Sequence, residues 1–332
     1  MADDDRKLDW LLVGTGDLAR KRLARAVASA SHSRLVGIVG QRERARALAG
    51  EWNVEAYEDL EQVLAEVNAP AVYIATSVDR HVEQAVIAMR HGRHVLIEKP
   101  LGLSATDAAR AVQQAEAAKV VAGCAYYRRC TPRYQHAREI LQRSDLGQIV
   151  SVNMCYRAWF APELSDPKSW RVVKHRSGGG PMADMGSHMF DVLIGLLGMP
   201  RSVFAKVKTL TQRYEVEDSA AIVMVMPDGA HVTANFHWNS KTWANDFEIV
   251  GTEGSLKWNP FDAGSVILTR GRERQELDLP HAVNVHQPLV EDFVQAVRSR
   301  GEPVVPLSEA LKTNMLLDAL YHSAQTGGEV ML

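Results

Sequence analysis

Trp10-Leu11-Leu12-Val13-Gly14-Thr15-Gly16-Asp17-Leu18-Ala19 is the stretch on which the reading of the fold turns. Its four apolar residues predict a buried strand, and residues 18–30, carrying Leu23, Val27 and several alanines, predict a helix. Between them lies Gly-x-Gly-x-x-Ala. Gly14 and Gly16 allow a sharp turn and a close backbone approach to a pyrophosphate, which would rest against the amides and dipole of the helix N-terminus. The same letters occur in plain tight turns, but their place after the first strand of a βαβ unit favours a dinucleotide. Thr15, Asp17 and Leu18 join the two glycines as candidate cofactor contacts.

Outward from this turn the pattern repeats. Residues 35–39, 70–75 and 94–97 are short apolar runs, and helical periods cover about 43–49, a stretch opened by Tyr57-Glu58-Asp59-Leu60, 81–90, and an alanine-rich run from Ser104 to Lys119. Strands alternating with helices predict right-handed crossovers and an α/β, doubly wound parallel sheet over residues 1–125. The pattern then changes. A helix at 132–142, a strand at 149–159 and a helix at 181–197 precede strands at 203–209, 219–226, 231–238, 246–250, 255–258 and 265–269. Pro227-Asp228-Gly229 and Gly251-Thr252-Glu253-Gly254 are hairpin-length links, so residues 126–332 are expected to form an α+β domain with a mostly antiparallel sheet. Helices at about 288–298 and 308–323 end the chain and can return to pack on the first domain.

Composition limits the function. A chain of 332 residues is long enough for two cores, and 38 Lys and Arg against 40 Asp and Glu give a net charge of -2. No basic excess is present to neutralise a phosphate backbone, which argues against nucleic acid as a partner. Three cysteines, an odd number, fit thiols in a reducing compartment. The acidic start Met1-Ala2-Asp3-Asp4-Asp5 is unlike a secretory signal, and no apolar run approaches the roughly 18 residues of a membrane span. A cytoplasmic protein without membrane contact is the expectation.

Three further stretches carry candidate chemistry. Gly40-Gln41-Arg42, followed by Arg44 and Arg46, stands where an acidic residue would accept hydrogen bonds from an adenosine ribose. A carboxylate there would repel a 2′-phosphate, whereas a guanidinium can hold one with two hydrogen bonds. The competing reading is an ordinary solvated helix face. Glu98-Lys99-Pro100 ends the strand at 94–97, the edge of an open sheet at which ligands bind, and the proline keeps Lys99 out of helical geometry. Gly178-Gly179-Gly180-Pro181 opens a helix on which Asp184, His188 and Asp191 fall at i, i+4 and i+7 among apolar residues. Such a stripe needs partners or a water-filled cavity. Metal binding is the rival use of the stripe, but no ligand set completes it, so no metal is assigned.

Together and in this order these elements resemble the glucose-fructose oxidoreductase and inositol dehydrogenase family (Gfo/Idh/MocA) over nearly the whole chain. Ile74-Ala75-Thr76-Ser77 with His81, Tyr127-Arg128-Arg129 before Pro132, and the Gly251–Gly254 turn agree with it. The resemblance implies a Rossmann domain, a second domain with an open-faced antiparallel sheet, and NAD(P)-dependent chemistry on sugars, cyclic polyols or related diols. It implies Lys99, Asp184 and His188 at the catalytic positions, with Tyr127 beside them at the substrate. Thr76, Ser77, His81, Glu98, Lys99, Trp170 and Arg171 join the glycine-rich turn and Gly40-Gln41-Arg42 on the cofactor side. Many relatives have Asn where Tyr127 stands, and the usual acid after the second strand is missing. Relatives with serine or glycine plus arginine in that loop resemble NADP-dependent reductases, so NADP(H) is expected to be preferred, with NAD(H) allowed.

Hydride transfer needs an oxygen that gains or loses a proton. Histidine, ordinarily with a pKa near 6.5, suits that task, so His188 is expected to move the proton, Lys99 to polarise the substrate oxygen and Asp184 to orient them. The alternative is a catalytically silent sensor that keeps the fold and the nucleotide. Residues 220–226, apolar at every position, predict a strand with two buried faces, one covered by a partner in a homodimer or homotetramer.

Overall fold

The computed structural model describes residues 6–332; the acidic start at residues 1–5, with the reading made of it, lies outside the described residues. The chain divides into two compact units, Met1–Cys130 with Ala282–Leu311, and Thr131–His281 with Lys312–Leu332.

The first unit is a six-stranded parallel sheet. In chain order its strands are β1 (Leu8–Val13), β2 (Ser33–Val39), β3 (Glu55–Tyr57), β4 (Ala71–Ile74), β5 (His94–Ile97) and β6 (Ala122–Cys124), arranged β3-β2-β1-β4-β5-β6. Leu11, Leu12, Val72, Tyr73, Val95 and Leu96 are all buried, as a sheet covered on both faces requires. The order reverses between β1 and β4, which opens a crevice at the carboxyl ends of those strands. The helices are α1 (Ala24–Ser29), entered through a π-helical turn at Ala19–Leu23, then α2 (Arg42–Trp52), α3 (Leu60–Glu66), α4 (Val78–Arg90) and α5 (Ala105–Ala118). Ser104 and Asp59 cap α5 and α3, accepting hydrogen bonds from the amides of Asp107 and Gln62.

That cap corrects the helix expected to open at Tyr57. Asp59 is extended, the helix starts at Leu60, and Tyr57 pairs with Val39 in β3. A three-residue edge strand is too short to show alternation in sequence.

The second unit contains α6 (Pro132–Gln142), β7 (Ile149–Trp159), α7 (Lys174–Ser177) and α8 (Ser187–Leu197). Its other strands are β8 (Ser202–Lys208), β9 (Ser219–Val225), β10 (His231–His237), β11 (Asn239–Gly251), β12 (Gly254–Trp258), β13 (Val266–Arg270), β14 (Glu273–Leu277) and β15 (Val330–Met331). The sheet order is β14-β13-β12-β11-β7-β10-β9-β8-β15, antiparallel except for the parallel pair β7 and β10. Val152, Met154, Ile222, Met224, Phe236 and Ile249 share one core with Tyr134 and Ile140 of α6 and Phe190 and Leu193 of α8.

Strand β9 turns one face into the core of its own unit and leaves the other open in the single chain. Ala220, Ile222 and Met224 are buried, whereas Ala221 and Val223 are exposed on the outer face with Phe204 and Lys206 of β8. The open face of β9 thus carries alanine and valine in place of polar residues.

Two helices precede β15, α9 (Gln287–Ser299) and α10 (Leu307–Thr326). The α9 helix is part of the first unit, where Phe293 packs its ring 5.2 Å from that of Trp10 in β1. Cys124, Cys130 and Cys155 form no disulfide. Among the described residues no helix is long and apolar enough to cross a membrane, and no cluster of His, Cys, Asp and Glu could hold a metal.

Candidate active site

At the carboxyl end of β1, Gly14 has φ +120°, and a Cβ there would lie 2.4 Å from the Ala75 carbonyl oxygen, so only glycine fits. Its amide donates to the Val39 carbonyl at 2.9 Å, tying the turn to β2. A Cβ on Gly16 would meet nothing within 4 Å: the backbone faces open space at the start of the helix. Close approach at Gly14 and open space at Gly16 suit a pyrophosphate, so these residues fit a dinucleotide. Thr15 packs on the loop after β2, since a Cβ on Gly40 would fall 2.6 Å from its Cγ2. Asp17 pairs with Lys21 at 2.7 Å on the exposed first turn. Leu18, half-buried, leads into the π-helical turn.

Arg42 begins α2, and its guanidinium is held by Glu58, the residue just after β3. The pairing places a carboxylate beside the position from which the usual ribose acid is missing. Gln41 caps the same helix without a side-chain hydrogen bond.

The ends of β4 and β5 are fastened to each other by His81. This residue of α4 is buried, its Nδ1 lying 2.9 Å from the Pro100 carbonyl and its Nε2 3.2 Å from that of Thr76. Burial lowers its pKa, so the neutral ring donates to one of these two carbonyls and packs between the loops that carry them. The Thr76 hydroxyl donates to Gln84 at 2.7 Å, and Ser77 caps α4. The Lys99-Pro100 peptide is cis, and Lys99 is half-buried.

Glu98 turns the other way, into the core. The Tyr73 hydroxyl donates to its Oε1 at 2.9 Å and the Lys99 amide to its Oε2 at 3.3 Å. Burial pushes its pKa up to about 7 against the opposing pull of Tyr73, Lys99 and Arg22. Next to it lies a residue the sequence did not single out. His286 is 3% exposed, has its Nε2 3.8 Å from Glu98 Oε1, and packs its ring, tilted by 43°, 4.7 Å from that of Tyr127. Burial, together with Arg22, Arg128 and Lys99, pushes its pKa down to about 3, and its Nδ1 has no hydrogen-bond partner among the described residues. An isolated histidine ahead of a proline-started helix gave no sequence signal of this role.

In the second unit the predicted stripe spans the junction of two helical segments. Residues 182–186 form a π-helical turn, and the regular α8 begins only at Ser187. Asp184 remains partly exposed at 23% of its side chain, whereas His188 is 6% exposed and Asp191 is fully buried. Arg171 lies in the single turn Ser169–Val172, with Nη1 3.6 Å from Asp184 Oδ2 and its guanidinium 5.7 Å from the Trp170 ring. Burial pushes the nearby Tyr156 hydroxyl up to about 12, Asp184 adding to the effect and Arg171 opposing it. Arg171, Asp184 and Tyr156 therefore share one electrostatic neighbourhood.

The turn that starts this helix is fixed from below. Glu217, itself buried, accepts hydrogen bonds from the amides of Gly180 and Met182 and, at 3.0 Å, from the Tyr321 hydroxyl. A Cβ on Gly180 would fall 1.9 Å from the Glu217 carbonyl oxygen, and one on Gly179 would fall 1.8 Å from the Tyr321 hydroxyl. Gly179 and Gly180 are thus required by packing, and Gly178, at φ +80°, by the left-handed end of α7.

Comparison with known proteins agrees with this arrangement. Residues 8–126 match the family model described as oxidoreductase family, NAD-binding Rossmann fold, and residues 134–257 match the GFO/IDH/MocA C-terminal domain. The 1,5-anhydro-D-fructose reductase of Ensifer adhaerens is 27% identical, with 89% of each chain covered. D-xylose 1-dehydrogenase (NADP(+)) 2 of Haloferax volcanii is 29% identical, over 97% of this chain and 98% of its own. Among solved structures, the WlbA dehydrogenase of Bordetella pertussis in complex with NADH and UDP-GlcNAcA superposes with a TM-score of 0.89 at 25% identity, covering 99% and 98% of the two chains.

Proposed function

Because the chain belongs to the Gfo/Idh/MocA family of oxidoreductases, we propose that it transfers hydride between a nicotinamide dinucleotide, preferably NADP(H), and a carbonyl or secondary alcohol of a sugar, cyclic polyol or related diol. The observation that carries this reading is the turn at Gly14 and Gly16, open toward a ligand at the reversal of the sheet. One relative is named as an NADP(+) enzyme and another as a reductase of an anhydro-sugar, which supports both the cofactor and the substrate class. Gly14, Thr15, Gly16, Asp17 and Leu18 would hold the pyrophosphate, and Gly40, Gln41 and Arg42 the adenosine ribose and its phosphate. Thr76, Ser77, Trp170 and Arg171 would line the remainder of the cofactor, with His81 fixing the loops that carry the first two; Glu98, expected among them, is instead buried and backs Lys99 through its amide.

When bound, the dinucleotide supplies or accepts the hydride. In the reducing direction Lys99 Nζ donates a hydrogen bond to the carbonyl oxygen, which withdraws electron density from the carbon under attack. His188 delivers the proton that this oxygen needs, and recovers one in the oxidising direction. Asp184, paired with Arg171, orients the substrate hydroxyls, and Tyr127 presents its phenol edge to the same substrate. Lys99→Met and His188→Asn should each lower kcat at least about a hundredfold, with NADPH affinity changed less than about threefold. Turnover unchanged in both variants would overturn the assignment of roles. The assembly reading is a homodimer or homotetramer through the outer face of the second unit's sheet, where Phe204 and Val223 are exposed.

A further inference from the structure

Discrimination between the two nicotinamide dinucleotides is written on more than one strand. Strands β2 and β3 run in register to their carboxyl ends, with Val39 opposite Tyr57, and the Gly40 amide donates to the Tyr57 carbonyl at 2.9 Å. Glu58 is the next residue, so the sheet itself carries it to the loop Gly40-Gln41-Arg42. That loop leans on Thr15 of the glycine-rich turn. Glu58 and Arg42 form an ion pair with side chains 49% and 64% exposed, at the edge of a groove of about 360 Å³ lined also by Arg46, Tyr57, Asp59 and Gln62. Both partners are within reach of a ligand from solvent.

We infer that Glu58 is a specificity-determining residue for the cofactor, because its carboxylate holds the Arg42 guanidinium that a 2′-phosphate would need. This rests on the reading of Arg42 as the phosphate ligand. A 2′-phosphate must displace Glu58 from Arg42 and then sit near its negative charge, whereas a ribose hydroxyl meets neither obstacle. The consequence is an enzyme less selective for NADP(H) than its arginines alone would make it. An exposed pair of this kind is weak enough to be displaced and strong enough to matter by several-fold.

Equilibrium binding of NADPH and NADH to the wild type, Glu58→Gln, Arg42→Ala and the double variant tests the inference. Glu58→Gln should bind NADPH about five- to tenfold more tightly at low salt, with NADH changed less than about twofold, and the gain should shrink as ionic strength rises. Arg42→Ala should weaken NADPH about tenfold or more, and adding Glu58→Gln to it should recover no more than about twofold. If Arg42→Ala weakens NADPH but Glu58→Gln does not tighten it, the role of Glu58 is wrong while the phosphate reading stands. Should Arg42→Ala leave NADPH affinity unchanged, the phosphate reading fails and the inference with it. Equal tightening of NADH and NADPH in Glu58→Gln would also overturn selectivity by this residue.

Discussion

Burial moves Glu98 and His286 in opposite directions, and the two movements cancel over a defined range of pH. Glu98 rises from 4.5 to about 7, so between those values the folded chain keeps a proton that the unfolded chain has lost; alone, this makes stability fall as pH rises. His286 drops from 6.5 to about 3, so over that range the unfolded chain holds a proton that the folded chain lacks; alone, this makes stability fall as pH falls. From pH 4.5 to 6.5 each state carries one proton on the pair, and the sum is flat. Glu98→Gln should leave only the histidine slope, a loss of up to about 1.4 kcal/mol per pH unit on acidification below 6.5. His286→Gln should show the opposite slope, gaining stability from pH 7 down to 4.5. Urea unfolding across this range measures both, and variant curves parallel to the wild type would contradict the assignment. Of these two residues only Glu98 was legible, because it stands beside Lys99 at a strand end. His286 reaches it from a distant segment, and nothing in local sequence reports that.

Among the elements, one helix of each unit that carries candidate residues begins in a π-turn, Ala19–Leu23 after the glycine-rich loop and Met182–Gly186 after the triple glycine. Strand and helix identity was legible in both places, since buried apolar runs and a helical period were present. The π-turns themselves were not, because they leave no mark in apolar spacing. The short edge strand β3 was likewise hidden, and with it the partner of Arg42. Packing around Gly180 makes a prediction here. Gly180→Ala brings a methyl against the Glu217 carbonyl and should destabilise the second unit by about 1–3 kcal/mol in chemical denaturation. The same substitution should lower kcat more than it alters NADPH affinity, because the displaced turn carries Asp184. A variant as stable and as active as the wild type would show that the turn has room to adjust.

For the whole molecule, the change from alternating strands and helices to long hairpin-linked strands made the two architectures readable from sequence. The return of Ala282–Leu311 to the first unit is a property of packing, seen in Phe293 on Trp10 and in His286 beside Glu98. Self-association through the outer sheet face predicts that Val223→Lys shifts the sedimentation coefficient toward that of a monomer. A wild type that sediments only as a monomer at working concentration would count against that assembly. The central claim is hydride transfer to a carbohydrate-like carbonyl. Its most direct measurement incubates the protein with NADPH deuterated at the nicotinamide C4 and a panel of aldoses, ketoses, dicarbonyls and anhydro-sugars, then locates the label by mass spectrometry. Deuterium is expected on the former carbonyl carbon of at least one compound, and none in Lys99→Met although that variant binds NADPH. Tight NADPH binding by the wild type with no label transferred to any member of the panel would contradict it, and would point to a nucleotide-binding sensor.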